Sequence, residues 1–455
     1  MDKNNGAIYD ARKLGKPKMI ILGVQHMFAM FGATILVPIL TGLDISTTLL
    51  MAGLGTLLFH CITKFKVPAF LGSSFAFLGG YAAIKAFSPN DPNSMLPYAC
   101  LGVACAGLIY FILAAVIKAV GIEKVMRFFP PVVTGPIIIA IGLGLAPSAV
   151  SNCTTNWFLA VVALAVIVVF NIWGKGMAKI IPIILGLLIS YGTGLVLYFI
   201  SQANPDLIQN VPWLFSGGAD ANGVYQPIFD FTSLNTICDN ISKGHIFGSE
   251  GLIGIPIHWD KTVFGGIDYS NGALIASSII AIVPIAFATM MEHIGDICAI
   301  SSTTGNNYIK DPGLHRTLVG DGLATTLASL FGGPANTTYG ENTGVLALTR
   351  VYDPRVIRIA AYFAVAVSFF PIVSVIIGSI PSCIIGGISF VLYGMISAIG
   401  VRNVVENKVD FTKSRNLIVA AVILVCALGL SSDTVSFTIG SAAITPVSYT
   451  HLTLP

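Results

Sequence analysis

Residues Met19 to Leu40, MIILGVQHMFAMFGATILVPIL, run for 22 positions without one charged side chain. About 20 mostly apolar residues suffice for a helix to cross the hydrocarbon of a bilayer. The pattern recurs along the chain, with further apolar runs at about 46–63, 68–88, 97–120, 130–150, 156–173, 180–201, 272–298, 317–332, 336–350, 356–380, 383–401 and 416–431. Charged residues make up only 10% of the 455, against roughly 25% in soluble domains. The expected class is an all-α polytopic membrane protein. The eight cysteines form no CxxC pair and sit mostly within apolar runs, so they read as small apolar residues rather than a disulfide or metal framework.

Lysine and arginine mark alternate connections: Lys64 and Lys66, Lys118 to Arg127, Lys175 and Lys179, Lys310 and Arg316, Arg350 to Arg358, and Arg402 to Arg415. Basic loops stay in the cytoplasm, which places the N-terminal tail 1–18 there and the long connection 202–271 outside, in a multi-pass protein of the cytoplasmic (inner) membrane. That connection is rich in Asp, Asn, Gly and aromatics, and its composition is compatible with short strands, an interfacial helix or a lid. The first apolar run is long enough to span and stay, so no cleavable signal is expected. At the other end, Val447 to Leu452 is what a common transposon sequencing adapter gives when translated in one frame. Residues 447–455 therefore read as a non-native tail and 381–446 as a truncated part, with a fourteenth span expected beyond it.

Two runs are interrupted by small polar residues, the third at GSSFAF (Gly72 to Phe77) and the tenth at YGENTG (Tyr339 to Gly344). Short extended stretches are expected to break both helices. The two breaks are related in sequence: Phe75 stands seven residues after Pro68 in VPAFLGSSF, and Glu341 seven after Pro334 in GPANTTYGE, 266 positions further on. Gln25-His26 and Glu292-His293 match at an offset of 267. Seven spans per half, with the fourteenth restored, make the second repeat inverted relative to the first. Inverted repeats with discontinuous helices are the layout of secondary transporters, whose substrate lies between half-helix ends.

Acids within the spans are few: Glu292 and Asp296, Glu341, and Asp321 at the start of the ninth run. A charge at mid-bilayer costs about 2.5–3.5 kcal/mol on insertion scales, so each needs a partner or a task. Glu292 and Asp296 share one helix face at a spacing of four; in a partly dry cavity one of them should hold a proton, which suits proton coupling with His293 alongside. Either acid could instead face a watery vestibule. Glu341 would start a half-helix whose free N–H groups and partial positive charge stabilise it, leaving its carboxylate to accept hydrogen bonds from a ligand. Phe75, in the facing repeat, can stack on a flat ring or serve ordinary packing. Gln25 reads an amide edge or fastens the first span, and His26 and His293 support the site. An aromatic platform, two carboxylate acceptors and backbone donors suit a small planar ligand with ring N–H and carbonyl groups, such as a nucleobase. No nucleophile-base-orienter set appears, which argues against an enzyme.

The residues Glu341-Asn342-Thr343-Gly344-Val345-Leu346-Ala347-Leu348-Thr349-Arg350 resemble the signature of the nucleobase-cation symporters of the nucleobase-ascorbate type. QH in the first run, GSSFAF and EHIGD look like further blocks of that family, with the bacterial uracil permeases as the nearest branch. The resemblance implies fourteen spans, a core domain of 19–120 and 272–380, and a gate domain of 121–201 and 381–446. It implies that Glu292 and Glu341 bind the pyrimidine edge, that Phe75 lines the ring, and that backbone at Gly340 and Ser74 adds hydrogen bonds, with Asn342 and Thr343 in support. The implied activity is import of a nucleobase, uracil above all, with the proton as coupling ion and no other cofactor or metal. Where uracil carriers often have His, this chain has Asp296, as purine carriers often do; a xanthine or urate carrier is therefore the alternative, and an anion transporter of the same architecture a more distant one. Membrane lipid is the expected environment, a homodimer is left open, and no nucleic acid is expected.

Overall fold

The computed structural model describes residues 7–125, 127, 130–220, 222–429, 437–439 and 442–444. The expected tail 447–455 lies outside them. Besides one-turn helices, the elements in chain order are α1 (Lys16–Thr41), α2 (Ile45–Ile62), β1 (Leu71–Ser73), α3 (Leu78–Lys85), α4 (Leu96–Val120), α5 (Pro131–Cys153), α6 (Trp157–Trp173) and α7 (Pro182–Ala203). The connection 202–271 then supplies β2 (Ser216–Ala219), β3 (Tyr225–Pro227) and α8 (Thr232–Ser242). There follow α9 (Gly272–Ile282), α10 (Ile285–Thr304), α11 (Leu314–Leu330), β4 (Asn336–Thr338), α12 (Gly340–Thr349), α13 (Pro354–Ser368), α14 (Pro371–Gly378), α15 (Ser382–Glu406), α16 (Ser414–Gly429) and the hairpin β5 (Phe437–Ile439) and β6 (Ala442–Ile444). Each of the thirteen expected segments holds helix.

Among the described residues, seven helices are long and apolar enough to cross a membrane singly, or eight if one bent pair counts as a span. Local chemistry sets their ends. Asp44 accepts from the Thr47 N–H at 2.8 Å to start α2, Asn156 does the same for Leu159 at α6, and Gly42, in the left-handed region at φ 84°, closes α1. The run 356–380, expected as one span, is instead α13 and α14 meeting at 87°. Pro371 cannot donate to the preceding turn, and Phe370 before it is forced extended, at φ −105° and ψ 96°.

The chain divides into two compact units, one comprising 1–141, 255–369 and 399–455, the other 142–254 and 370–398. In the first, α11 packs on α4 and α2, α13 on α2 and α1, and α9 on α4. Backbones touch where α4 crosses α11: a methyl on Gly107 would stand 2.7 Å from the Gly322 carbonyl oxygen, and one on Gly322 2.6 Å from that of Gly107. Small residues at such a crossing let two spans approach where lipid gives no hydrophobic drive. In the second unit α6 packs on α7, and Asn156 also donates to the Ser216 carbonyl at 2.8 Å, which fixes the start of the β2–β3 hairpin. Phe229 and Phe231 stack at 5.2 Å beside Tyr198. The connection 202–271 thus holds both short strands and a helix.

Candidate functional site

The two interruptions meet. β1 and β4 pair antiparallel with Leu71 opposite Thr338, Gly72 opposite Thr337 and Ser73 opposite Asn336. The ladder extends one rung each way, through Ser74 N–H to the Ala335 carbonyl at 2.8 Å and Tyr339 N–H to that of Phe70 at 3.1 Å. Under the 266-residue offset Leu71 and Gly72 become Thr337 and Thr338, so the rung Leu71–Thr338 maps onto the rung Gly72–Thr337. The strands therefore pair as a local two-fold axis between those two rungs requires.

A two-stranded ribbon inside a helical membrane protein leaves two outer edges that must find partners. Threonines supply them. On α2, Thr56 Oγ1 accepts from Leu71 N–H at 2.9 Å and donates to the Leu71 carbonyl at 3.2 Å. On α11, Thr325 Oγ1 donates to the Asn336 carbonyl at 2.6 Å, and Asn336 donates to the Met51 carbonyl at 3.0 Å. The Tyr339 ring lies on Gly72, where a methyl would stand within about 2.5 Å of it, and its hydroxyl donates to the Ser73 carbonyl at 2.9 Å.

From the ends of this ribbon two short helices depart, α3 after Ser74 to Phe77 and α12 directly after Tyr339. α12 has no side-chain cap at Tyr339, so its first N–H groups and their partial positive charge are presented to what lies ahead. Asp296 on α10 lies there: a Cβ on Gly340 would stand 3.9 Å from its Oδ1, while its Oδ2 accepts from Thr338 Oγ1 at 2.8 Å. Thr338 Oγ1 also stands 3.4 Å from His293 Nδ1. The same nitrogen is 3.3 Å from Asp321 Oδ2, with both side chains fully buried. That approach is an ion-pair distance without hydrogen-bond alignment, since both Asp321 oxygens lack a hydrogen bond among the described residues. Asp321 also feels the charges of Glu292 and Asp296.

The structure thus joins His293, Asp296, Thr338 and Gly340 and adds Asp321. Asp321 was visible in the sequence as one of four acids within the spans, but which helix it faces was not. A second polar group lies between α1 and α12. Asn342 Nδ2 donates to the His26 carbonyl at 3.5 Å; Gln25 Oε1, both His26 ring nitrogens, Asn342 Oδ1 and Thr343 Oγ1 are buried without a hydrogen-bond partner among the described residues. Phe75 and Glu292 are partly buried, the one in the turn before α3 and the other on α10, one residue before His293. At Ser74 the backbone N–H donates to the Ala335 carbonyl, and the buried hydroxyl has no hydrogen-bond partner among the described residues. Glu341 is the second residue of α12.

Apolar helices long enough to span a membrane, around a broken helix whose second half starts at a buried cluster of acids and a histidine, are the layout of a membrane transporter. A family model described as "Permease family" (Xan_ur_permease) matches residues 17–435, and the chain belongs to that family, the nucleobase-ascorbate transporters. Its relatives include a uracil permease of Bacillus caldolyticus, 39% identical over 90% of this chain and 85% of that protein, and one of Bacillus subtilis, 38% identical with the same coverage. A putative pyrimidine permease of Escherichia coli is 35% identical over 96% of this chain and 89% of its own length. Among solved structures, the transmembrane domain of a cyanobacterial bicarbonate transporter matches with TM-score 0.64 at 13% identity, over 93% of this chain and 98% of that one. SLC26A9 matches with TM-score 0.52 at 11% identity, over 97% of this chain and 64% of the longer SLC26A9 chain. At such identities these two structures establish the fold alone.

Proposed function

We propose that this transporter imports uracil across the cytoplasmic membrane together with protons, with its N-terminus in the cytoplasm. Relatives named uracil permeases along nine-tenths of the chain support the substrate. The single observation that carries the reading is the β1–β4 ribbon, which delivers the uncapped start of α12 to the Asp296–Thr338–His293–Asp321 cluster. Uracil has two ring N–H donors and two carbonyls. In our reading Glu292 and Glu341 accept from the N–H edge, the first N–H groups of α12 at Gly340 and the Ser74 hydroxyl face carbonyls, and Phe75 covers the ring. Gln25, His26, Asn342 and Thr343 support the start of α12 from behind.

Coupling follows from the cluster's charge. Three carboxylates and an imidazole in one partly buried cluster repel or compete for protons, and not all of them hold charge at once. A proton held among Glu292, Asp296, His293 and Asp321 would favour binding from outside, and its loss inside would release substrate. The carrier works, in this reading, by movement of core segments 19–120 and 272–380 against gate segments 121–201 and 381–446. In proteoliposomes, labelled uracil uptake should rise several-fold when the outside is made acidic; indifference to the gradient would refute the coupling.

A purine reading rests on Asp296, the residue type found at that position in many purine carriers. Competition of uracil uptake by excess xanthine or urate separates the two: strong competition moves the assignment to purines. Crosslinking in membranes reports whether the carrier is a homodimer.

A further inference from the structure

Ahead of α1, residues 7–15 lie against the far ends of the two helices that bring acids to the site. Ile8 bridges Val351 in parallel: its N–H donates to the Arg350 carbonyl at 2.8 Å, and its carbonyl accepts from Tyr352 N–H at 2.8 Å. Arg350 is the left-handed residue that ends α12, at φ 55°. The next residue, Tyr9, donates its hydroxyl to the Thr304 carbonyl at 2.7 Å, and Thr304 is the last residue of α10. Consecutive residues of one segment thus hold the ends of α10 and α12. Ala11 N–H donates to Asp353 Oδ2 at 2.7 Å, and Arg355 Nη1 joins Asp10 Oδ1 at 3.0 Å to Asp353 Oδ2 at 3.2 Å. Beneath these, Ala11, Val351 and Val356 form a buried cluster with Ile8, Leu14, Met19 and Leu22.

We propose that Ile8 and Tyr9 are positioning residues: a strap that fixes α12 and α10 relative to one another, and so sets the separation of Asp296, midway along α10, from Glu341 at the start of α12. α12 has only 10 residues, about 15 Å at 1.5 Å per residue. Its start is fixed by the ribbon through Tyr339, its end by Ile8, and a short rigid rod held at both ends has one tilt. α10 runs eight residues from Asp296 to Thr304, about 12 Å, so a shift at Thr304 reaches the acid along a single rod. The strap is built to stay down at physiological pH. The Arg12 guanidinium beside Asp10 lowers its carboxyl to about 2, so the attraction is complete above the ordinary carboxylate range and is lost only as pH falls through about 2. The inference rests on the proposed site for its consequence, though not for its mechanics.

Two variants each remove one hydrogen bond: Tyr9→Phe frees α10, and Ile8→Pro removes the donor to α12. Hydrogen exchange, melting temperature and uracil affinity are measured on the full chain in detergent. Exchange should quicken at 292–304 in Tyr9→Phe and at 340–344 in Ile8→Pro, with uracil affinity falling in each by up to about tenfold, the most that one lost hydrogen bond transmits. A lower melting temperature with exchange at 292–296 and 340–344 unchanged means local packing only and overturns the proposal. If the parent protein binds no uracil while the exchange pattern appears as stated, the strap stands and the substrate assignment falls.

Discussion

The arms 68–85 and 334–349 share a plan and divide the chemistry. Each begins with Pro, makes a three-residue strand and turns into a half-helix, and the strands pair about a common centre. At the equivalent positions where ligand chemistry would sit, one arm has Ser74 and Phe75 and the other Gly340 and Glu341. Fold symmetry here is a backbone property, sustained by threonine hydroxyls on α2 and α11. The residue types at the equivalent positions differ, with an apolar ring in one arm and an acid as the second residue of the half-helix in the other.

The largest effect should come from the charged arm. Glu341→Gln keeps the size and removes the charge, and hydrogen bonds to charged groups contribute about 1.5–3 kcal/mol; uracil affinity should fall by up to about a hundredfold. Unchanged binding in detergent would remove Glu341 from the site and with it the functional half of the comparison. In the other arm the strand is more vulnerable than the turn. Gly72→Val drives a side chain into the Tyr339 ring, and overpacking of this kind costs about 1–3 kcal/mol, so the melting temperature should drop by several degrees. A normal melting temperature would show that the ring swings aside and that the ribbon is not clamped there. Phe75→Ala should weaken uracil binding by about tenfold or less, in line with about 0.5–1.5 kcal/mol for an aromatic contact beyond burial. It should leave the pH dependence of uptake unaltered, because the ring carries no proton; a shifted pH profile would mean that the two arms share the coupling.

Much of this was legible in the sequence, and the failures have physical causes. The breaks at Gly72 to Phe77 and Tyr339 to Gly344 stood out because small polar residues interrupt apolar runs. The break between α13 and α14 did not, because Phe369 and Phe370 keep that run apolar and Pro371 alone marks it. The ninth run, 317–332, carries little hydropathy because it is rich in Gly, Ala, Ser and Thr, and those small residues let α11 pack on α4 and α2. The acids could be counted from sequence, whereas the approach of Asp321 to His293 depends on which helix faces which. Likewise, the hydrogen bond of the Ser74 N–H to Ala335 follows only from strand pairing, which joins residues more than 260 positions apart.

The smallest effect concerns the central rung, Gly72 opposite Thr337. Thr337 is 2% exposed, and its hydroxyl has no hydrogen-bond partner among the described residues. A buried hydroxyl left unpaired costs free energy, and exchanging it for a methyl of the same shape recovers part of that cost. Thr337→Val should therefore raise the melting temperature slightly, by the equivalent of about 1 kcal/mol or less, and leave uracil affinity unchanged. If stability falls instead, the hydroxyl has a partner in solution, and an ordered water between the arms is the group small enough to be it. A fall in affinity with stability intact would assign Thr337 to the ligand, and the division of chemistry between the arms would then begin three residues earlier than Ser74 and Gly340.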